Sequence, residues 1–333
     1  MKRYAQVKNR LSILLAVAIL MVVGIFVLVS CGVGPQLKVT DPETGQFALD
    51  FSLTNNGLRG AVLTENTNIV TGIHAAKTYS LTDKELTLEA WVKSKSTSTS
   101  GGIIGRMDSR GAALFIKGSV PKFGVRYKSV TSSVTSTPPG CTRLSASSTE
   151  CIVPGTATLV QNVWTHIAGV LVNEVHSHAV TSNCTTAVMA QTPHLDIYID
   201  GSFNNCSTTL SKFAENTSVS QVVTVGTIGE SGTPPMDTTV LISTPLDAVI
   251  DEARFWTTAR TVSEINACMN RELSNDTSTC GGDSADLLNY FRFNEGSGNG
   301  VVDWAGFGAG ELSSNMSSGW VAGPNITLYP LLD

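Results

Sequence analysis

Short runs in which apolar and polar residues alternate, each stopped by Gly, Asn, Asp or Pro, recur along this chain from Phe47 onward. Phe47, Leu49, Phe51 and Leu53 form the first, and Leu86, Leu88, Ala90 and Val92 alternate with Thr87, Glu89, Trp91 and Lys93 in the second. GGIIGR (101–106), AALFIKG (112–118), KFGVRYK (122–128), VVTVGTIGE (222–230), VIDEARFW (249–256) and LLNYFRFNEGSGN (287–299) continue the series. A period of two is the pitch of a β-strand, and strands separated by turn residues without intervening helices fit stacked antiparallel sheets better than α/β alternation. VWTHIAGVLV (163–172) is apolar on both faces and reads as a central strand. LDIYIDG (195–201) alternates strictly and ends in Asp200-Gly201, a two-residue hairpin signal. The expected fold is all-β, a two-sheet antiparallel sandwich with one short helix. Thr261 with Glu264 makes a capping box for that helix, and Ile265, Met269 and Leu273 share a face. It is expected to pack across one end of the sandwich. Residues 129–162, 173–194 and 274–286 are polar and Cys-bearing, and read as insertions in surface loops.

The first thirty residues set the chain's address. Lys2, Arg3, Lys8 and Arg10 precede an uncharged apolar run from Leu11 to Val29, which closes on Leu28-Val29-Ser30-Cys31. A basic start, an apolar middle and a small residue before the cut are the parts of a secretory signal. The ending resembles the lipobox of bacterial lipoproteins, in which the Cys becomes a lipidated N-terminus. The alternative is an uncleaved anchor helix, since about 20 apolar residues span a bilayer. Both place everything after Cys31 outside the cytoplasm. The expected organisation is a signal at 1–30, a lipidated tether at 31–40 and one domain at 41–333. The expected location is the bacterial cell envelope, at the outer membrane where one exists.

Four of the 22 Lys and Arg lie in the signal, which holds no acid, so 18 basic residues face 27 acidic ones beyond it. That sign argues against nucleic acid as a partner. With Cys31 set aside, six of the seven cysteines remain, an even number in an oxidising compartment. Near-neighbour pairing is expected: Cys141 with Cys151, Cys184 with Cys206 and Cys268 with Cys280. No CxxC or Cys/His cluster has zinc spacing.

The order of the blocks carries a resemblance. LTLEAWVK (86–93), VWTHIAGVLV, LDIYIDG, VGTIGE (225–230), DAVIDEARFWTTARTVSEI (247–265) and LNYFRFNEGSGNGVVDWAG (288–306) follow one another in turn. The series resembles the laminin-G-like, concanavalin A-like jelly-roll domains of bacterial surface proteins. The resemblance implies two stacked sheets and a recognition or adhesion role, with glycan as the ligand class. SLTNNGLRG stands where the usual Asp-rich turn follows the first strand, so ligand and metal sites of relatives do not transfer.

Candidate chemistry is sparse. His74, His166, His176, His178 and His194 form no Ser-His-Asp or Cys-His pattern. His166 reads as a core or strand-edge residue, and His176, His178 and His194 as either a metal clasp or loop residues. Trp164 and Trp256 read as core, Trp91 as packing beneath the terminal segments, and Trp304 and Trp320 as satellite core. Some jelly-roll relatives hydrolyse glycosides with a carboxylate pair, but their Glu-x-Asp-x-x-Glu strand is absent. Asp251 shares the phase of Val249, Ala253 and Phe255 and is expected to point inward. Its partner would be backbone N–H or Arg, or alternatively a bound Ca²⁺, which takes about six to eight oxygens. The expected function is a lipid-anchored, non-catalytic module that binds glycans. The alternatives are a protein-interaction module of a surface assembly and, more weakly, a polysaccharide-active enzyme.

Overall fold

The structure is a computed structural model. It describes residues 47–52, 62–63, 85–106, 111–127, 141–145, 148–172, 194–208, 224–226, 246–273, 286–298, 300–305, 308–312 and 319–324.

These residues form two antiparallel sheets. The first runs β11 (Ser202–Thr208), β10 (His194–Ile199), β9 (Trp164–Val172), β3 (Leu86–Ser94) and β13 (Ala248–Trp256). The far edge of β13 is shared by β1 (Phe47–Asp50), which carries β17 (Trp320–Ala322), and by β14 (Leu287–Phe291). The second sheet runs β7 (Cys141–Ser145), β8 (Ser148–Pro154), β6 (Val120–Tyr127), β5 (Gly111–Lys117), β4 (Gly101–Arg106), β12 (Thr224–Val225), β2 (Val62–Leu63), β16 (Gly308–Leu312) and β15 (Gly300–Asp303). β14 and β15 meet at Phe291 and Asp303 and join the two sheets. This is the expected jelly-roll sandwich.

The alternating residues explain the packing. Leu88, Ala90 and Val92 of β3, Ile167 and Leu171 of β9 and Ile197 of β10 face Ile104, Leu114, Phe123 and Val125 of the second sheet across one buried core. Burying each large apolar side chain contributes roughly 1.5–3 kcal/mol. Gly169 in β9 gives Phe123 its place, because a Cβ there would lie 2.3 Å from the ring. β9 sits between β3 and β10, as its two apolar faces imply. Asp200 (φ 48°) and Gly201 (φ 69°) turn β10 into β11, in the left-handed conformations that this hairpin needs.

The structure corrects three readings. β8 and the β7–β8 hairpin belong to the second sheet, although they fall in the stretch 129–162 read as a polar insertion. Their inward residues, Cys151 and Val153, supply enough apolar surface to seat the strand on β6. The helix, α1 (Val262–Cys268), has its capping box, with Thr261 Oγ1 accepting from Glu264 N–H. It lies on the outer face of the first sheet rather than across an end, because Ile265 packs on Ala168, Val170 and Tyr198. The third correction is at Asp251. A bulge sets Glu252 and Ala253 opposite Ala90, so the phase of β13 changes in mid-strand. Asp251 pairs with Trp91 on the outer face, while Ala253 and Phe255 turn into the core.

Candidate functional site

The outer face of the first sheet has two ends, and they differ in what covers them. On β3 the outward residues are Thr87, Glu89, Trp91 and Lys93; opposite the first three stand Trp256, Arg254 and Asp251 of β13. Residues 257–273, including α1, form a strap across the first of these rows.

Beneath the strap, Arg254 is the hub. Its Nη1 donates to Cys268 O at 3.1 Å and to Glu89 Oε1 at 3.4 Å, and its Nη2 donates to Arg271 O at 2.5 Å and to Glu252 Oε2. Trp256 Nε1 donates to the same Glu89 oxygen at 2.8 Å, and Tyr290 Oη donates to Glu252 Oε2 at 2.6 Å. Trp91 Nε1 reaches Met269 O, Arg292 reaches Leu273 O, and Arg260 stacks 3.9 Å over Trp256. The last carbonyls of a helix and of the turn after it need donors, and here the sheet's own side chains provide them. Glu252 holds a left-handed φ of 52° at the bulge, a strain of about 1–3 kcal/mol that its charge-assisted hydrogen bonds offset.

Charge follows this wiring. Burial works against the Glu89 carboxylate, but Arg254, Arg260 and His166 outweigh it and hold its pKa below the ordinary value. Burial pushes Glu252 up, against the pull of Arg254 and Tyr290. Burial also pushes His166 down to about 4, so its 3.5 Å approach to Glu89 Oε2 is that of a neutral ring at pH 7. Glu89 and Arg254 are each 0 % exposed. The buried carboxylates at this end serve to fasten the strap.

At the other end the cover stops. Trp164 and Lys93 are directly opposite each other on β9 and β3, both half-exposed, with the ammonium 4.8 Å from the ring centroid. The preceding loop exposes Val160 (64 %) and Val163 (49 %). It is nevertheless tied down: Leu159 N–H donates to Ser119 O, Asn162 N–H to Ser94 O and Gln161 Nε2 to Lys95 O, each at 2.8 Å.

A laminin G family model, described as the concanavalin A-like lectin/glucanases superfamily, matches residues 65–266, more than half of the chain. The chain belongs to that superfamily. No curated protein matches this laminin G-like chain. Among solved structures it is similar to a Bacteroides ovatus protein assigned as carbohydrate-binding (14 % identity, 81 % of this chain and 58 % of that one, TM-score 0.45). It is also similar to a heptameric SAP-like pentraxin from Limulus polyphemus (12 % identity, 82 % and 97 %, TM-score 0.42). The mouse laminin α1 chain, domains LG4-5, follows (10 % identity, 65 % and 43 %, TM-score 0.38). The laminin G-like chain thus spans little more than half of the Bacteroides ovatus protein.

The laminin G-like domain treats its expected site residues unequally. Cys141 and Cys151 are joined, and face each other across β7 and β8. Cys206 and Cys268 are also disulfide-bonded, while Cys184 and Cys280, their expected partners, lie outside the described residues, as does Cys31. His194 is buried 3.6 Å from Asp196, and His74, His176 and His178 lie outside the described residues. Asp251 is buried, its Oδ1 accepts from Glu252 N–H at 2.9 Å, and burial together with Glu252 raises its pKa well above the ordinary range. Among the described residues no group of three or more His, Cys, Asp or Glu side chains is arranged to hold a metal ion. The backbone N–H of Glu252 is the partner of Asp251 among the described residues. Trp256 is core as expected, but Trp164 is not. Its exposure was hidden by the apolar run that carries it; the signal was Lys93, a charge in phase with the outer face of the neighbouring strand.

Proposed function

We propose that this chain is a non-catalytic glycan-recognition module, held outside the cytoplasmic membrane by lipid on Cys31. The observation that carries the reading is the contrast on one sheet face. The strand-borne carboxylates Glu89, Asp251 and Glu252 are buried, whereas Trp164 is half-exposed on a rigid corner. Hydrolysis of a glycoside needs two carboxylates at the bond, and recognition needs an open aromatic or polar surface. Membership of a superfamily of lectins and glucanases is compatible with either activity, so the site must decide. The Cys141–Cys151 bridge supports an oxidising, extracytoplasmic compartment, in line with the leader. At a bacterial envelope, lipid-tethered copies would act together, so weak single sites suffice through avidity.

Incubating the full-length chain with a panel of polysaccharides tests the reading. It should be retained on at least one and release reducing ends from none. Retention on none would turn the assignment toward a protein-interaction module, and repurification-stable hydrolysis would overturn it.

A further inference from the structure

Lys93 and Lys95 lie two residues apart and are used differently. Lys95 Nζ pairs with Asp50 Oδ2 at 3.0 Å. Lys93 has no carboxylate within ion-pair distance among the described residues, and its ammonium rests over the Trp164 ring. A cation held over a half-buried indole at the surface is weakly bound and gives way readily to a formal anion.

The surroundings are built rather than incidental. Trp164 and Lys93 come from adjacent central strands whose register fixes their separation. The loop beside them is tied to the sandwich at Leu159, Gln161 and Asn162 by three hydrogen bonds, yet keeps Val160 and Val163 in solvent. A loose loop would fold such residues inward. A tied loop that leaves them out presents preorganised apolar side chains in the segment leading into Trp164, at little ordering cost on binding. The corner therefore offers three things: an indole, a cation over its ring with no carboxylate partner among the described residues, and C–H-compatible side chains in the adjoining loop. A sugar ring matches the first and third, since its axial C–H bonds form an apolar face. A sugar bearing a carboxylate on the ring carbon or its substituent also matches the second, since the carboxylate is a formal anion that an ammonium can pair with.

We propose that the Trp164–Lys93 corner is a subsite for a carboxylate-bearing sugar residue, such as a uronate, within a polysaccharide. This rests on the glycan-recognition reading and narrows it. On binding, the ammonium leaves the indole for the carboxylate and the sugar ring takes its place on the indole. No bond is made or broken.

The test uses the full-length chain and a glycan array in which each uronate oligosaccharide is printed beside its methyl ester, which removes the charge at the cost of one added methyl group. The acid form should be retained about fivefold better than the ester at low salt, a difference the size of an exposed ion pair, and the preference should fade as salt rises. Lys93→Gln should bring the acid down to the level of the ester. Trp164→Ala should weaken both forms about tenfold or more, and Trp164→Phe should restore part of the loss. Denaturation midpoints read in parallel should stay at wild-type values, so that lost binding is not lost folding. An acid preference that survives Lys93→Gln, or retention confined to neutral glycans, overturns the subsite and leaves the recognition reading standing. Retention of no glycan overturns both.

Discussion

Trp256 and Trp164 sit on the same face of the same sheet and do opposite things. Trp256 is sealed under the strap, gives its N–H to Glu89 and carries Arg260 on its ring. Trp164 lies where the strap ends, with a lysine over its ring. Both come from strands of that sheet, and both present an aromatic face to a cation. What separates them is coverage: residues 257–273 need donors for their carbonyls, and Arg254, Trp91 and Arg292 supply these at one end only. Polar residues on an outer sheet face are therefore bracing where a strap lies on them and available for recognition where none does.

The largest expected effect strikes the covered end. Arg254→Met removes four hydrogen bonds and leaves Glu89 and Glu252 buried without their main counter-charge. It should cost about 3–5 kcal/mol in urea denaturation, as breaking a buried ion pair does. A loss under 1 kcal/mol would mean that the strap is held by packing alone.

The next effect is a pH dependence. The folded state depresses the pKa of His166 from 6.5 to about 4, so it favours the neutral ring. That contribution is present in full above pH 6.5 and is lost as pH falls towards 4. Its full size is on the order of 3 kcal/mol. The groups facing the ring are Glu89, Arg254, Arg260 and Trp91. Asp251 and Glu252, with raised pKa values, work the other way: they favour the protonated, acidic side. The clean readout is the stability difference between wild type and His166→Gln, which should shrink between pH 6.5 and 4. A constant difference would mean that His166 titrates in the folded protein as it does in the unfolded chain, with no depression of its pKa.

Smaller still is the cap of the strap. Thr261→Ala removes the acceptor for Glu264 N–H and should cost about 1 kcal/mol. At the open end, Val160→Ser should change stability by less than about 0.5 kcal/mol, since the side chain is mostly in solvent already. A large loss there would show that the corner is covered in solution.

Local chemistry made much of this fold legible. The strands around Leu88, Ile167 and Ile197, the Asp200-Gly201 turn and the Thr261 capping box follow from residue types and period alone. The bulge at Glu252 did not, because no Gly, Asn or Pro marks it. Its left-handed residue is a glutamate kept in place by Arg254, two residues on, and by Tyr290 of β14, which is distant in sequence. That single inserted residue reverses the direction of Asp251 and so removes the basis for an inward metal ligand. The β7–β8 hairpin was also hidden, since its Ser/Thr-rich outer face reads as loop. Trp164 shows the same limit from the other side: alternation can place a residue on a face but cannot say where a strap made from residues 257–273 will stop.

One paired measurement bears most directly on the contrast between the two ends. Trp256→Phe and Trp164→Ala, each in the full-length chain, are compared for denaturation midpoint and for affinity to a polysaccharide that retains the wild type. Trp256→Phe should lower stability by about 1–3 kcal/mol, from the buried hydrogen bond that Glu89 loses, and leave affinity unchanged. Trp164→Ala should leave the midpoint within about 0.5 kcal/mol and cut affinity about tenfold. The reverse pattern, with binding lost at Trp256 and kept at Trp164, would contradict the assignment of the open end to recognition.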